Sequence, residues 1–319
     1  MDSAGGIGVT SRHGLRALLS LDRRPQDPRA TLLLALVETD MFKVARSFLT
    51  LGLLLAGSWT SVASAQALPV SVDVSGNVAI VRIGLASNPI ADLTLSFDDA
   101  SGLSAASLGI SAQMVNVSDP ALLARLPSAT QIGVPKDFPV MITVEPPALG
   151  GLSQHRITHV EVHTHALVYQ AGSSLRLFKA QLGGPFRDIT ESVLPGSVRT
   201  RGTTPGWSQF IIVADLRPSA QVIQAKFAYL REQLNALPAS ERDPLANLLN
   251  LAESAVADGR YADAGTALDS FSARVSTRAG STIPDLWRAA RDTQNIAGEL
   301  LAGASTLDFS IGYLRDFGI

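Results

Sequence analysis

The sequence predicts an antiparallel β-sandwich followed by an α-helical bundle, an all-β part and an all-α part in one chain of 319 residues. Three observations predict it. From about Leu68 to Leu216 apolar residues recur every second position, between frequent turn signals. After Arg217-Pro218 the apolar period changes to three or four. Ahead of both lies a segment with the three parts of an export signal.

That signal begins at Met41. Met41-Phe42-Lys43-Val44-Ala45-Arg46 is a short basic region, Phe48 to Gly57 an apolar one, and Val62-Ala63-Ser64-Ala65 offers small residues at a peptidase site. An apolar run of about ten residues is too short for a bilayer core of about 30 Å, which predicts a cleaved signal peptide over 41–65 and not an anchor. Residues 1–40 then read as a non-functional upstream extension. The mature chain starts near Gln66, in the periplasm or outside the cell, and does not span a membrane.

Within 66–216, the predicted antiparallel β-sandwich, Val70, Val72 and Val74 alternate with other neighbours, as do Leu93, Leu95 and Phe97. Further strands are expected in Ala79–Leu85, Ile110–Val117, Val140–Val144, Ile157–Leu167, Leu175–Leu182 and Trp207–Ala214. Ser75-Gly76-Asn77, Asp98-Asp99, Gly150-Gly151 and Gly183-Gly184-Pro185 are the turns between them, and Pro120–Leu126 is a single helical turn. Alternation suits antiparallel sheets with one face in a core and the other in water.

Residues 219–319 predict about four helices. Ile223, Phe227, Leu230, Leu234 and Leu237 form one stripe. Ser240 caps a second helix through Leu245, Leu248, Leu249, Ala252 and Val256, which Gly259 ends. Tyr261, Ala264, Leu268, Phe271 and Val275 mark the third, closed by Gly280. Pro284 suits the first position of a fourth, running to about Ala304. Within this half, Leu248–Ile283 resembles the FIMAH domain, a helical-hairpin module near the C-termini of bacterial exported proteins. Gly259, Tyr261, Ala264, Leu268 and Phe271 carry the likeness. The segments LRLFKAQLGGPFRDIT and GWSQFIIVADLRP make the mature chain similar to an uncharacterised family of exported bacterial proteins, a domain of unknown function. Both resemblances imply an accessory extracellular role and neither implies a catalytic residue.

Charge narrows the partners. With 26 Lys and Arg against 28 Asp and Glu the net charge is −2, so no field draws nucleic acid. Cysteine is absent, which removes disulfides and zinc–thiolate sites. No phosphate-binding loop, nucleophile elbow or calcium ladder occurs, and no cofactor is implied. The one constellation with chemistry is His155–His165, which holds four of the five histidines. In a strand, His159, Glu161, His163 and His165 share a face and are the candidate metal ligands; Val160 and Val162 occupy the other face, so the same row also reads as a solvated strand surface. The sequence therefore predicts a non-enzymatic binding or scaffolding protein whose partner is another envelope or extracellular protein. A metal-binding protein or metal-dependent hydrolase on the histidine strand is the first alternative. Glycan binding is the second, disfavoured by an aromatic content of 6% with Trp207 and Trp287 at core-like positions.

Overall fold

Two antiparallel sheets meet because each strand has one apolar face, and those faces share a single hydrophobic core. The computed structural model describes residues 66–195 and 197–318; the extension 1–40 and the signal 41–65 lie outside the described residues. The first sheet runs in the order β1 (Gln66–Leu68), β5 (Ile110–Met114), β7 (Val140–Val144), β13 (Gln209–Asp215), β9 (Leu175–Ala180), β10 (Arg187–Asp188), with β6 (Ile132–Gly133) also on β13. The second runs β11 (Thr190–Leu194), β12 (Ser197–Thr204), β8 (Ser153–Val168), β4 (Asn88–Ser101), β3 (Val78–Leu85), β2 (Val70–Ser75). A short β14 (Trp287–Arg288) pairs with Gln154 and Ser153 at the start of β8, on the same side as β12 and before the stretch that β12 pairs with. Val81, Leu93, Leu95, Val160 and Val162 of the second sheet pack with Val140, Ile142, Leu177 and Phe210 of the first. A single four-residue helical turn apart from the sheets, α1 (Ala105–Leu108), is closed by a reciprocal Ser104–Ser107 cap.

The first sheet's other face is covered by the segment between β5 and β7, which contains the expected turn of helix, α2 (Pro120–Leu123). Leu122, Leu126 and Val134 from this segment pack on Met141, Phe178 and Ile211. Alternation thus buries both parities of β9 and β13, which is why Leu175–Ala180 is buried almost throughout.

Four helices follow: α3 (Ser219–Leu234), α4 (Ala239–Ala257), α5 (Tyr261–Arg278) and α6 (Ile296–Phe317). The stripe Ile223, Phe227, Leu230, Leu234 and Leu237 lies in one core with Leu245, Leu249, Leu268 and Phe271. Gly259 sits at φ +72° after α4, where its amide and that of Arg260 close the last turn on Val256 and Ala255. The sheets and helices of the described residues lie in one compact unit.

Three expectations are corrected. The fourth helix begins at Ile296 and not at Pro284, because Trp287–Arg288 pairs with β8 at Gln154 and Ser153 and the Trp287 ring joins the sheet core. Helix α4 starts at Ala239 behind Pro238, so Ser240 lies within the first turn and caps nothing. Asp98 and Asp99 continue β4 instead of turning, since a bulge opposite them in β8 keeps the two strands paired on to Ser101.

That bulge positions α6. Arg156 stands at φ +59°, a conformation costing about 1 kcal/mol or more for a residue with a Cβ. Its backbone is held on both sides: the amide donates to Asp285 Oδ1 at 2.7 Å and the carbonyl accepts from Asn295 Nδ2 at 2.7 Å. Asn295 Oδ1 in turn accepts from the Gly298 amide and caps α6. Gly298 rests so closely on the bulge that an added Cβ would lie 2.4 Å from the Arg156 carbonyl oxygen. Gly298→Ala is therefore expected to lower stability by about 1–3 kcal/mol. Gly265→Ala, where the new methyl meets only Asp308 Oδ1 at 3.4 Å, should raise it by up to about 1 kcal/mol through helix propensity. Urea denaturation of the two variants checks the contrast; equal effects would refute the docking of α6 on the bulge.

Candidate functional site

Helix α6 lies between the bundle core and the second sheet, touching β8, β11 and β12. Several charged groups along this seam are paired. Arg187 of β10 donates to Glu299 of α6 at 2.7 Å, and the Tyr229 hydroxyl of α3 donates to the same carboxylate. The Arg187 guanidinium also lies 4.3 Å over the Tyr229 ring. Lys226 of α3 is buried and meets Asp188 Oδ2 at 2.8 Å, while donating to Thr306 O and Ser310 Oγ of α6. Burial pushes the Asp188 and Glu299 carboxyls up, but the neighbouring cations and hydrogen bonds outweigh it and hold both below the usual carboxylate range. Lys179 of β9 is buried as well, with Thr204 Oγ1 at 2.5 Å; burial brings its pKa down to about 7.

Beside this network a cavity of about 560 Å³ opens between the turn at 170–174, the start of α3 and the last turns of α6. Its volume is within the range of small-molecule sites. Gly172 takes φ +70° in the turn, and its carbonyl accepts from the Tyr313 hydroxyl at 2.8 Å, which ties the turn to α6. Arg217 lines the cavity but is chelated by Asp215, with Nε to Oδ1 at 2.9 Å and Nη2 to Oδ2 at 2.7 Å. Arg176 lines it too and is only 7% exposed. Its Nη1 donates to the Ser173 and Leu175 carbonyls at 2.7 and 2.8 Å, and the guanidinium stacks 4.2 Å from the Tyr313 ring centroid. Helix α3 starts at this cavity behind Pro218, with no side chain capping it.

The histidine strand is β8, with the parity expected: Val160 and Val162 are buried, while His159 and His165 face solvent and Glu161 and His163 are half-buried. The four candidate ligands do not converge. His159 Nδ1 lies 3.5 Å from Glu191 Oε2, and Glu161 is held by Arg201. His163 Nε2 bonds the Ser197 hydroxyl, and its ring stands edge-on to His165 with centroids 4.8 Å apart. Among the described residues no three His, Asp or Glu side chains are grouped to hold a metal ion. Ser197, His163 and Asp92 do follow one another in the order of a proton relay. However, His163 Nδ1 is 3.9 Å from Asp92 Oδ2, beyond hydrogen-bond reach, so the carboxylate does not orient the ring. The aromatic candidates are occupied by packing: Trp207 packs on Phe97 and donates to Gln154, and Trp287 packs against the sheet core.

Arg176, Lys179, Arg187, Asp188, Lys226 and Glu299 were not singled out by sequence reasoning. The signal present was charge inside an apolar strand, Leu175-Arg176-Leu177-Phe178-Lys179-Ala180, where a strand buried on both faces leaves no solvated parity for Arg or Lys.

Residues 52–315 match the sequence profile of a family of unknown function (DUF6689). No curated protein matches the chain. No helix among the described residues is long and apolar enough to cross a membrane.

Two pH responses follow from the geometry. A carboxylate depressed by its folded partners stabilises the fold above its unfolded pKa of about 4.3, and that stability is lost as pH falls through the folded value. Melting temperature should thus fall below about pH 4.5, and Glu299→Gln should lower it at pH 7 while flattening the acid limb; an unchanged limb would refute the role of Glu299. The hydrogen bond to Glu191 raises the His159 pKa, and burial, Arg199 and His165 lower that of His163. NMR titration should place the two midpoints on opposite sides of the free-histidine value of about 6.5, and coincident midpoints would contradict the partners described.

Proposed function

This chain belongs to the DUF6689 family, and from that premise, which supplies no activity, we propose a binding role without catalysis. On this reading the two sheets with their shared core are a β-sandwich, and the helices are an accessory module whose α4–α5 hairpin is of the FIMAH kind. The protein works outside the cytoplasm after cleavage near Ala65, and it holds a small molecule in the cavity where the two parts meet.

The observation that carries the reading is the cavity itself. Its walls come from three separated stretches of chain, the 170–174 turn, 215–222 and the C-terminal turns of α6, which only the docking of helices on sheets brings together. Sites built where structural layers meet are where small ligands generally bind. The wall is also stiffened: Tyr313 bonds the Gly172 carbonyl, Asp215 fixes Arg217, and the Asp215 amide donates to Ser174 O at 2.9 Å. A wall held in place before the ligand arrives spares the entropy of ordering it on binding. The histidine strand offers a contrast, for its polar side chains pair with Glu191, Arg201 and Ser197 on neighbouring strands and none of them lines the cavity.

The test is a thermal-shift screen of purified protein against neutral, anionic and cationic small molecules, with Ala171→Trp as a variant that obstructs the exposed rim of the cavity. At least one class should raise the melting temperature saturably, by an amount equivalent to about 2.7 kcal/mol at a hundredfold excess over Kd, and the variant should lose the effect. A shift that survives in Ala171→Trp places the ligand elsewhere, and the absence of any shift removes the reading.

A further inference from the structure

We infer that the cavity takes a small organic anion, whose carboxylate or phosphate oxygens are received by Arg176 beside the open amide end of α3. The inference rests on the binding role proposed above and names its ligand class. It starts from an imbalance of buried charge. Of the cations gathered here, Arg217 is chelated by Asp215 and Lys226 is paired with Asp188. Arg176, although 7% exposed, has no carboxylate within 4.0 Å among the described residues; the charge of Asp188 reaches it but is shared with Lys226, so three cations face the two carboxylates Asp188 and Asp215. Taking a charge from water with only a shared counter-charge is unfavourable, and two carbonyls and an aromatic face compensate for only part of it.

Lys179 shows how the protein handles the same problem elsewhere. That lysine also has no carboxylate within 4.0 Å among the described residues, and burial, only partly offset by Glu299, brings its pKa down to about 7. A guanidinium has no such escape, since arginine stays protonated throughout the accessible pH range. Arg176 stands next to open space, and both of its protein hydrogen bonds come from Nη1. Nε and Nη2 make no hydrogen bond among the described residues, which leaves the edge of the fork that receives oxyanions pairwise.

The start of α3 adds a second donor set to this cavity. Pro218 supplies no side-chain oxygen and its carbonyl takes only the Gln221 and Val222 amides, so the Ser219 and Ala220 amides and the positive end of the dipole of a 16-residue helix are left without a cap. Ser173, Ser174, Ser219 and Ser310 line the same space with hydroxyls, and Leu216, Val222 and the Tyr313 ring give it apolar walls. A volume of about 560 Å³ exceeds what a bare ion fills, so the anion is part of a small organic molecule whose body meets those walls. The net charge of −2 argues that any anion binding is local, because the protein as a whole repels anions.

The experiment titrates purified protein with inorganic phosphate, acetate, citrate and phenyl phosphate, following melting temperature and heat of binding. Sodium chloride at matched ionic strength is the control, and glucose and glycerol are the neutral probes. A carboxylate or phosphate is expected to bind saturably beyond the chloride effect, and which of them binds tightest separates the two sources. Arg176→Met, which keeps the stack on Tyr313, should weaken binding more than tenfold while leaving the ligand-free melting temperature unchanged or raised. Arg176→Lys, keeping charge without the fork, should weaken it less. Oxyanions that do no more than chloride, or an Arg176→Met variant that binds like wild type, would overturn the assignment. Saturable binding of glucose or glycerol alone, lost in Ala171→Trp, would leave the cavity reading standing and remove the anion; silence from every probe would remove both. Should Arg176→Met not fold, the amides of Ser173, Ser174 and Ser219 in the wild type decide by NMR: phosphate-dependent shifts there support the site, and none there overturns it.

Discussion

Helix α6 has to be buried on two sides at once, and the rest of the fold is arranged around that requirement. Toward the bundle it offers Leu300, Ala304, Leu307 and Ile311; toward the sheets it offers Gly298 and the polar groups Glu299 and Ser305. Small residues let it approach closely, as Gly298 does on the Arg156 carbonyl and Gly303 on Leu230. Such an approach requires that the strand beneath be shaped for it. The bulge in β8 provides the shape by turning the Arg156 backbone outward, and Asp285 and Asn295 stabilise a conformation that a lone strand would not keep. Bulge, cap and helix start thus form one unit, in which each part is stable because of the other two.

A seam of this kind excludes water from charged groups, and the pairing found there follows from the penalty. Ion pairs removed from water gain little net stability, since desolvation offsets most of the attraction, but an unpaired member is strongly destabilising. Arg187–Glu299 and Asp188–Lys226 consequently act as registers: α3 and α6 dock only in the orientation that matches both. Two adjacent residues of β10 make these contacts, one toward each helix, so a two-residue strand at the edge of the first sheet fixes the placement of half the bundle.

Much of this architecture was legible in the sequence because it rests on period. The strands carrying Val, Ile and Leu at alternate positions and the helices stepping by three and four appear where the pattern put them. β12 was missed because its inward positions after Val198 are Thr200, Gly202 and Thr204, which carry no apolar signal although all three are buried. Gly202 is there because Ile189 O would lie 2.3 Å from a Cβ, a tertiary contact invisible in one strand. The shift of α6 has the same origin: Pro284 is a good helix start locally, but Trp287 gains more from the sheet core than from a helical turn. The histidine row was legible as a row and misleading as a site. Periodicity gives the face a side chain takes and not its neighbours across the sheet, and here Glu191, Arg201 and Ser197 are the neighbours that matter.

The cavity illustrates the opposite case, a site with no sequence motif at all. Its arginine lies in a strand, its turn follows a strand, and its helix start is marked only by a proline. None of these is unusual alone, and what distinguishes them is the ledger of charge once they are brought together. Every other buried ionic group along the seam is balanced by a partner or, for Lys179, by a pKa near neutrality. Arg176 has only a share of Asp188, whose close partner is Lys226, and it faces open space. In a protein interior the sign of an unbalanced fixed charge is also a statement about what can occupy the space in front of it, because only the opposite sign recovers the solvation that burial removed.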